Sequence, residues 1–261
     1  MPARLLALLV LTCATSHAAG DRGAADFAHG VDLYRAEDYR QAQKSFERAA
    51  AEDPGNSKYR LWVGLAIGRR AEGMTGLRRV GAAPLAKQAR QHFERAVELD
   101  EENLEALEAL QGFHFMAPRL IGGSKAEAVK IAVRIESIDR ARGAAAWAAV
   151  HEDARDFQEA AESHLRAREL APNDTGYLLG HAGFLSRRGQ HAESDELFEA
   201  AIASDPDDPD VCLEAGKAWL HAKRKALYPR ARELLERYLA SPRRKPNSDP
   251  PSRVRKLLKR L

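Results

Sequence analysis

Residues 175–208 read TGYLLGHAGFLSRRGQHAESDELFEAAIASDPDD, and their spacing fits two antiparallel helices. Leu178, Ala182 and Leu185 share one face of the first helix, and Ser194, Phe198 and Ala201 share one face of the second. Gly189 breaks the chain between them, and Asp205-Pro206 ends the second. Small residues at Ala182, Ser194 and Ala201 let the two backbones approach, while Leu185 and Phe198 fill the space that remains. Such a hairpin is meant to be stacked.

The same spacing recurs, with variations, from about residue 23 to residue 240. Gly30, Leu33, Asp38-Tyr39, Ala42, Phe46, Ala49 and Asp53-Pro54 supply it near the start, and Trp147, Ala148, His151, Ala160, His164, Ala167 and Pro172 supply it again. These residues resemble the tetratricopeptide repeat, a helical hairpin with a period of about 34 residues. The resemblance covers about four fifths of the chain. It implies an all-α, right-handed solenoid of about six hairpins, at 23–56, 57–103, 104–140, 141–174, 175–208 and 209–240. A basic tail at 241–261 follows, in which Ser252 to Leu261 are expected to form a short helix that caps the stack or stays mobile.

Two of these repeats are stretched. In the second, Ala89 arrives 13 residues late, and RRAEGMTGLRRVGAAPLAKQ reads as an extended helix followed by a protruding loop. In the third, the first helix is expected to end near Met116, because APRLIGGS joins Pro118 to Gly122-Gly123. Ser124 then caps a helix carrying Ala128, Ala132 and Ile135. The stretch FHFMAPRLIGGSKAEA is similar to a loop in a subset of exported bacterial proteins of this repeat family, with no activity attached to it.

With 44% hydrophobic and 30% charged residues among 261, the chain can bury a core, and its many alanines, leucines, glutamates and arginines favour helix. Residues 1–18 combine Arg4, an apolar run from Leu5 to Ala14 and the small-residue exit Ser16-His17-Ala18, which reads as a secretory signal cleaved after Ala18 or Ala19. The apolar run is too short to span a bilayer, and Thr12 before Cys13 disfavours a lipid anchor. The expected location is the periplasm, with secretion or lipid anchoring as alternatives. Cleavage leaves Cys212 alone on an apolar helix face, so no internal disulfide forms and the thiol reads as core.

Charge is uneven. The net charge is +3, yet 14 Lys and Arg stand against three acids from Lys223 to Leu261, leaving residues 19–222 at −9. The chain reads as an acidic solenoid with a basic tail.

In the resembled family, first helices line a concave groove. The corresponding offsets place Phe27, Tyr34, Arg35, Leu61, Leu65, Arg69, Phe115, Met116 and Arg187 in it, an apolar surface edged by arginines. It suits an extended or helical peptide with apolar anchors and an acidic group. Ala28, Trp62, Ala109, Ala146 and Gly180 occupy the offsets where a carboxylate clamp would want asparagine, which argues against that mode. Nucleotide loops and nucleophile elbows are absent, so no catalytic residue, cofactor or metal is assigned. The expected function is a non-catalytic scaffold for a peptide or envelope protein. The alternatives are an adaptor holding anionic lipid or another polyanion through residues 243–260, and a metal or pH sensor built on His151, His164 and His181, whose repeat offsets could bring them together. Export, and a tail without interleaved aromatics, argue against nucleic acid.

Overall fold

Short polar residues start most of these helices. Asp38 accepts a hydrogen bond from the backbone N–H of Gln41, Asn56 from Tyr59, Asn103 from Ala106 and Ser124 from Glu127. Asp139, Asp174 and Asp208 do the same two residues on, satisfying donors that the first turn of a helix leaves unpaired. The result, in a computed structural model that describes residues 22–74 and 81–261, is thirteen α-helices with no strand among the described residues.

They are α1 (22–35), α2 (Tyr39–Glu52), α3 (Ser57–Glu72), α4 (Ala82–Leu99), α5 (Leu104–Met116), α6 (Lys125–Ile138), α7 (Arg140–Ala154), α8 (Phe157–Leu170), α9 (Thr175–Arg187), α10 (His191–Ser204), α11 (Pro209–His221), α12 (Tyr228–Ala240) and α13 (Pro251–Leu258). The chain divides into two compact units at Ala128–Val129. No helix among the described residues is long and apolar enough to cross a membrane. The secretory signal expected at 1–18 lies outside the described residues.

The first unit is built on aromatic rings. Phe46 is fully buried, with the rings of Phe27 and Trp62 each 5.5 Å away and Tyr34 at 6.4 Å. A β-carbon on Gly30 would stand 2.5 Å from the Phe46 ring, and one on Gly64 would stand 2.6 Å from Phe93. Glycine on the first helix is therefore what lets phenylalanine fill the hairpin. Ser57 Oγ donates to the Ala96 carbonyl at 2.8 Å and accepts from Asn103 Nδ2 at 2.7 Å, tying α3, α4 and α5 together.

The stretched second repeat spends its extra residues largely on helix. Ala82–Gln88, expected in a protruding loop, form the first two turns of an 18-residue α4; part of the loop itself, 75–80, lies outside the described residues. The α5 boundary and the Ser124 cap stand where the glycines and Pro118 put them.

In the second unit Phe198 is fully buried and meets Trp219 edge-on at 6.3 Å. Ser194 sits against α9 and donates to the Ala182 carbonyl at 2.8 Å, so its small size and its hydroxyl both serve the contact. Cys212 is 1% exposed and packs as a core residue. Val254 of α13 is fully buried in the same cluster as Leu235 and Tyr238, so the last helix covers the end of the apolar core and is not a loose tail.

Candidate functional site

Helix α3 presses against α2, α4 and α5, and it is apolar nearly all round, with Leu61, Trp62, Val63, Ala66 and Ile67 buried. That crowding corrects part of the expected groove in the first unit. Leu61 is 1% and Tyr34 2% exposed; both are core residues with no surface to offer a partner. Phe27 is half-buried, stacked on Tyr59 at 5.0 Å with the Lys58 ammonium 5.2 Å above its ring. Arg69 is no solvated edge charge either: its Nε donates to the Tyr34 hydroxyl at 3.2 Å and its guanidinium pairs with Glu72. Leu65 and Phe115 are half-buried, while Arg35 is exposed beside Asp32. Met116 is 79% exposed, and Leu120 in the following turn is 92% exposed.

In the second unit the first helices of two successive hairpins, α9 and α11, border a cleft of about 500 Å³ lined by Gly183, Ser186, Arg187, Lys217, Ala218 and His221. Glycine and alanine leave the helix backbones approachable there, and Glu214 lines the cleft together with the cations. Lys217 lies between Glu214 at 2.8 Å and Asp249 at 3.0 Å. Burial acts to lower its pKa, but the two carboxylates together raise it, so it stays charged. Burial, then Arg260 and Lys217, push His221 below the ordinary histidine value, which keeps that ring neutral. Arg187 donates to Glu152 of α7 at 2.7 Å.

Glu152 in turn receives the Nε2–H of His164 at 3.0 Å. His164 stacks on His181, ring centroids 5.7 Å apart and planes within 4°, and Arg168 reaches His181 Nδ1 at 3.1 Å. Two of the three histidines whose spacing suggested proximity do meet; His151 instead stacks on Trp147. The sequence offsets that suggested the histidine pair contained no hint of Arg168 or Glu152, since charged residues on helices are common.

The basic tail is partly spoken for. Arg243 pairs with Asp205 at 2.6 Å, Lys245 with Asp210 at 2.7 Å and Arg253 with Asp249 at 2.8 Å. Asp205 and Asp210 flank the turn between α10 and α11, so part of the tail's charge answers the acidic repeats themselves. A second cleft, of about 580 Å³ beside Asp174, Leu179 and Asp208, is bordered by the Lys245–Asp210 pair.

With this geometry in place, comparison with known proteins adds a family. The tetratricopeptide repeat model matches residues 27–68 and 179–249, one stretch in each unit. Among solved structures, a thermophilic TPR protein of Thermus thermophilus aligns with a TM-score of 0.58 at 18% identity, over 76% of this chain and 99% of that one. PilF of Pseudomonas aeruginosa aligns with a TM-score of 0.54 at 14% identity, over 84% of this chain and 93% of that one. At such identities the likeness is one of fold. No curated protein matches the sequence.

Proposed function

We propose, from the premise that the chain belongs to the tetratricopeptide-repeat family, that it is a non-catalytic scaffold whose α9–α11 face holds a protein segment bearing a carboxylate. A scaffold role follows from the family. The single observation that carries the finer reading is the cleft between consecutive first helices, with Gly183 and Ala218 at its walls and Arg187 at its edge. A guanidinium can take a carboxylate in two-point fashion, and Arg187 is 60% exposed while held in place by Glu152. Of the earlier groove set, Arg187 belongs to this site; Phe115 and Met116 stand as a separate apolar contact in the first unit.

A photo-crosslinking residue at Ser186 is the direct test. The expected result is a protein adduct from Ser186 that is absent from a probe at exposed Leu165 and lost in Arg187→Glu. Equal labelling at both probes, or an adduct indifferent to Arg187→Glu, would sink the reading.

The signal-like residues 1–18 support export as part of the same proposal. A mature N-terminus at Ala19 or Gly20 in the envelope fraction is expected, and an intact Met1 in the cytoplasmic fraction would refute it. Polyanion binding through residues 243–260 is the second reading, supported by exposed cations that include Arg255, Lys256, Lys259 and Arg260.

A further inference from the structure

The contact between α8 and α9 combines an apolar cluster of Ala160, Phe184 and Leu185 with a polar part whose charge depends on acidity, and donor–acceptor logic fixes the state of that second part. A guanidinium can only donate, so His181 Nδ1, 3.1 Å from Arg168 Nη1, must accept, and the ring is neutral. A carboxylate can only accept, so His164 Nε2 carries the proton it shares with Glu152. His181 is thus a neutral ring held between a permanent cation and a second imidazole stacked 5.7 Å away.

We propose that this contact is an acid-operated joint: a proton gained at His181 Nδ1 abolishes the Arg168 hydrogen bond, sets two cations face to face, and releases α9 from α8. The surroundings offer His181 little relief. From α8 it faces His164 and Arg168, and on α7 Glu152 is already taken by His164 and Arg187. On α9 itself Phe184 covers it with an apolar ring, centroids 6.4 Å apart. On α10 Asp195 is occupied by Trp219 and Arg224. Glu214, Lys217 and His221 of α11 gather instead around Gly183 and Arg187.

Burial, then His164 and Arg168, lower the His181 pKa to about 4. An opened joint exposes an ordinary histidine, which takes its proton near pH ~6.5. The closed form is therefore fully favoured above about pH 6.5 and loses its advantage as pH falls towards about 4. Because Arg187 sits on α9 and lines the cleft, opening would also shift that residue. This last step alone rests on the proposed binding role.

The test uses the full chain and no ligand. Amide exchange, corrected for its intrinsic pH dependence, is compared at about pH 7 and about pH 4, together with an NMR titration of the His181 ring. Wild type is expected to lose at least about tenfold in protection in α9 relative to α11–α12, and His181→Gln, which still accepts from Arg168 but does not titrate, is expected to keep it. Equal loss in the variant, or equal loss in every helix of the wild type, would overturn the joint. If His181→Gln does not fold, Arg168→Leu decides the matter: the ring's midpoint should move up towards the ordinary histidine value, and an unmoved midpoint refutes the proposal. Failure of Ser186 crosslinking with an intact pH effect would count against the binding site alone.

Discussion

Phe46, His164 and Phe198 are each the eighth residue of the second helix of a hairpin, in α2, α8 and α10. The same slot is filled by an apolar ring in two places and by an ionisable ring in the third. Around Phe46 stand Phe27, Tyr34 and Trp62; around His164 stand Glu152, His181 and Phe184. The hairpin tolerates either filling because it demands a flat group of roughly one size, and a polar ring is acceptable once its buried nitrogen has a partner. What changes is the condition for stability: no ring of the aromatic joint takes up a proton in acid, and the histidine joint does. Phe46→Ala should cost about 3–5 kcal/mol in denaturant unfolding, at neutral and at acid pH alike. A loss near zero would mean that the slot is not the keystone of the first hairpin.

His164→Ala should cost less, about 1.5–3 kcal/mol, the range for a buried hydrogen bond to a charged group. Burial of Glu152 acts to raise its pKa, but the hydrogen bonds from His164 and Arg187 outweigh it and leave the carboxyl below its ordinary value. That contribution is present above the usual carboxylate range and fades as pH falls through the lowered folded pKa. The cost of His164→Ala should therefore shrink in acid while that of Phe46→Ala holds. Parallel pH profiles for the two variants would erase the distinction between the joints.

The third effect comes from glycine. Alanine in place of glycine within a helix ordinarily gains up to about 1 kcal/mol. At Gly30 the new β-carbon would meet the Phe46 ring at 2.5 Å, so Gly30→Ala should instead cost about 1–3 kcal/mol. Gly68 of α3 has nothing within 4 Å of that position, and Gly68→Ala should stabilise by about 0.5–1 kcal/mol. The opposite signs would be read directly as shifts in denaturation midpoint.

The hairpin and its stacking faces were legible because packing positions must be small or apolar at fixed spacing, as Ala182, Ser194 and Phe198 are. The α5 end and the Ser124 cap were legible because proline and paired glycines allow few alternatives. Groove residues were not. Whether Leu61 faces a partner or a neighbour depends on α4 and α5 both closing over α3, and helix periodicity alone does not count neighbours. Arg69 misled for a related reason: its reach to the Tyr34 hydroxyl is a matter of side-chain length and of a residue 35 positions away.

Turns mark the smallest legible difference. In three hairpins the residue just ahead of the second helix's N-cap takes a left-handed backbone: Glu37 at φ 64°, Arg155 at φ 66° and Gly189 at φ 78°. Glycine announced the turn only in the last, and at the other two a side chain bears the conformation at some cost. Arg155→Gly should therefore stabilise the chain by up to about 1 kcal/mol, even though glycine gives the unfolded chain more freedom. Gly189→Ala should destabilise it by about 1 kcal/mol, with no clash to blame, since nothing lies within 4 Å of the added carbon. Differential scanning calorimetry on the two variants should show midpoints displaced in opposite directions. Two shifts of the same sign would mean that the α7–α8 and α9–α10 turns are not the same device, and that Arg155 holds its turn through contacts rather than in spite of its backbone.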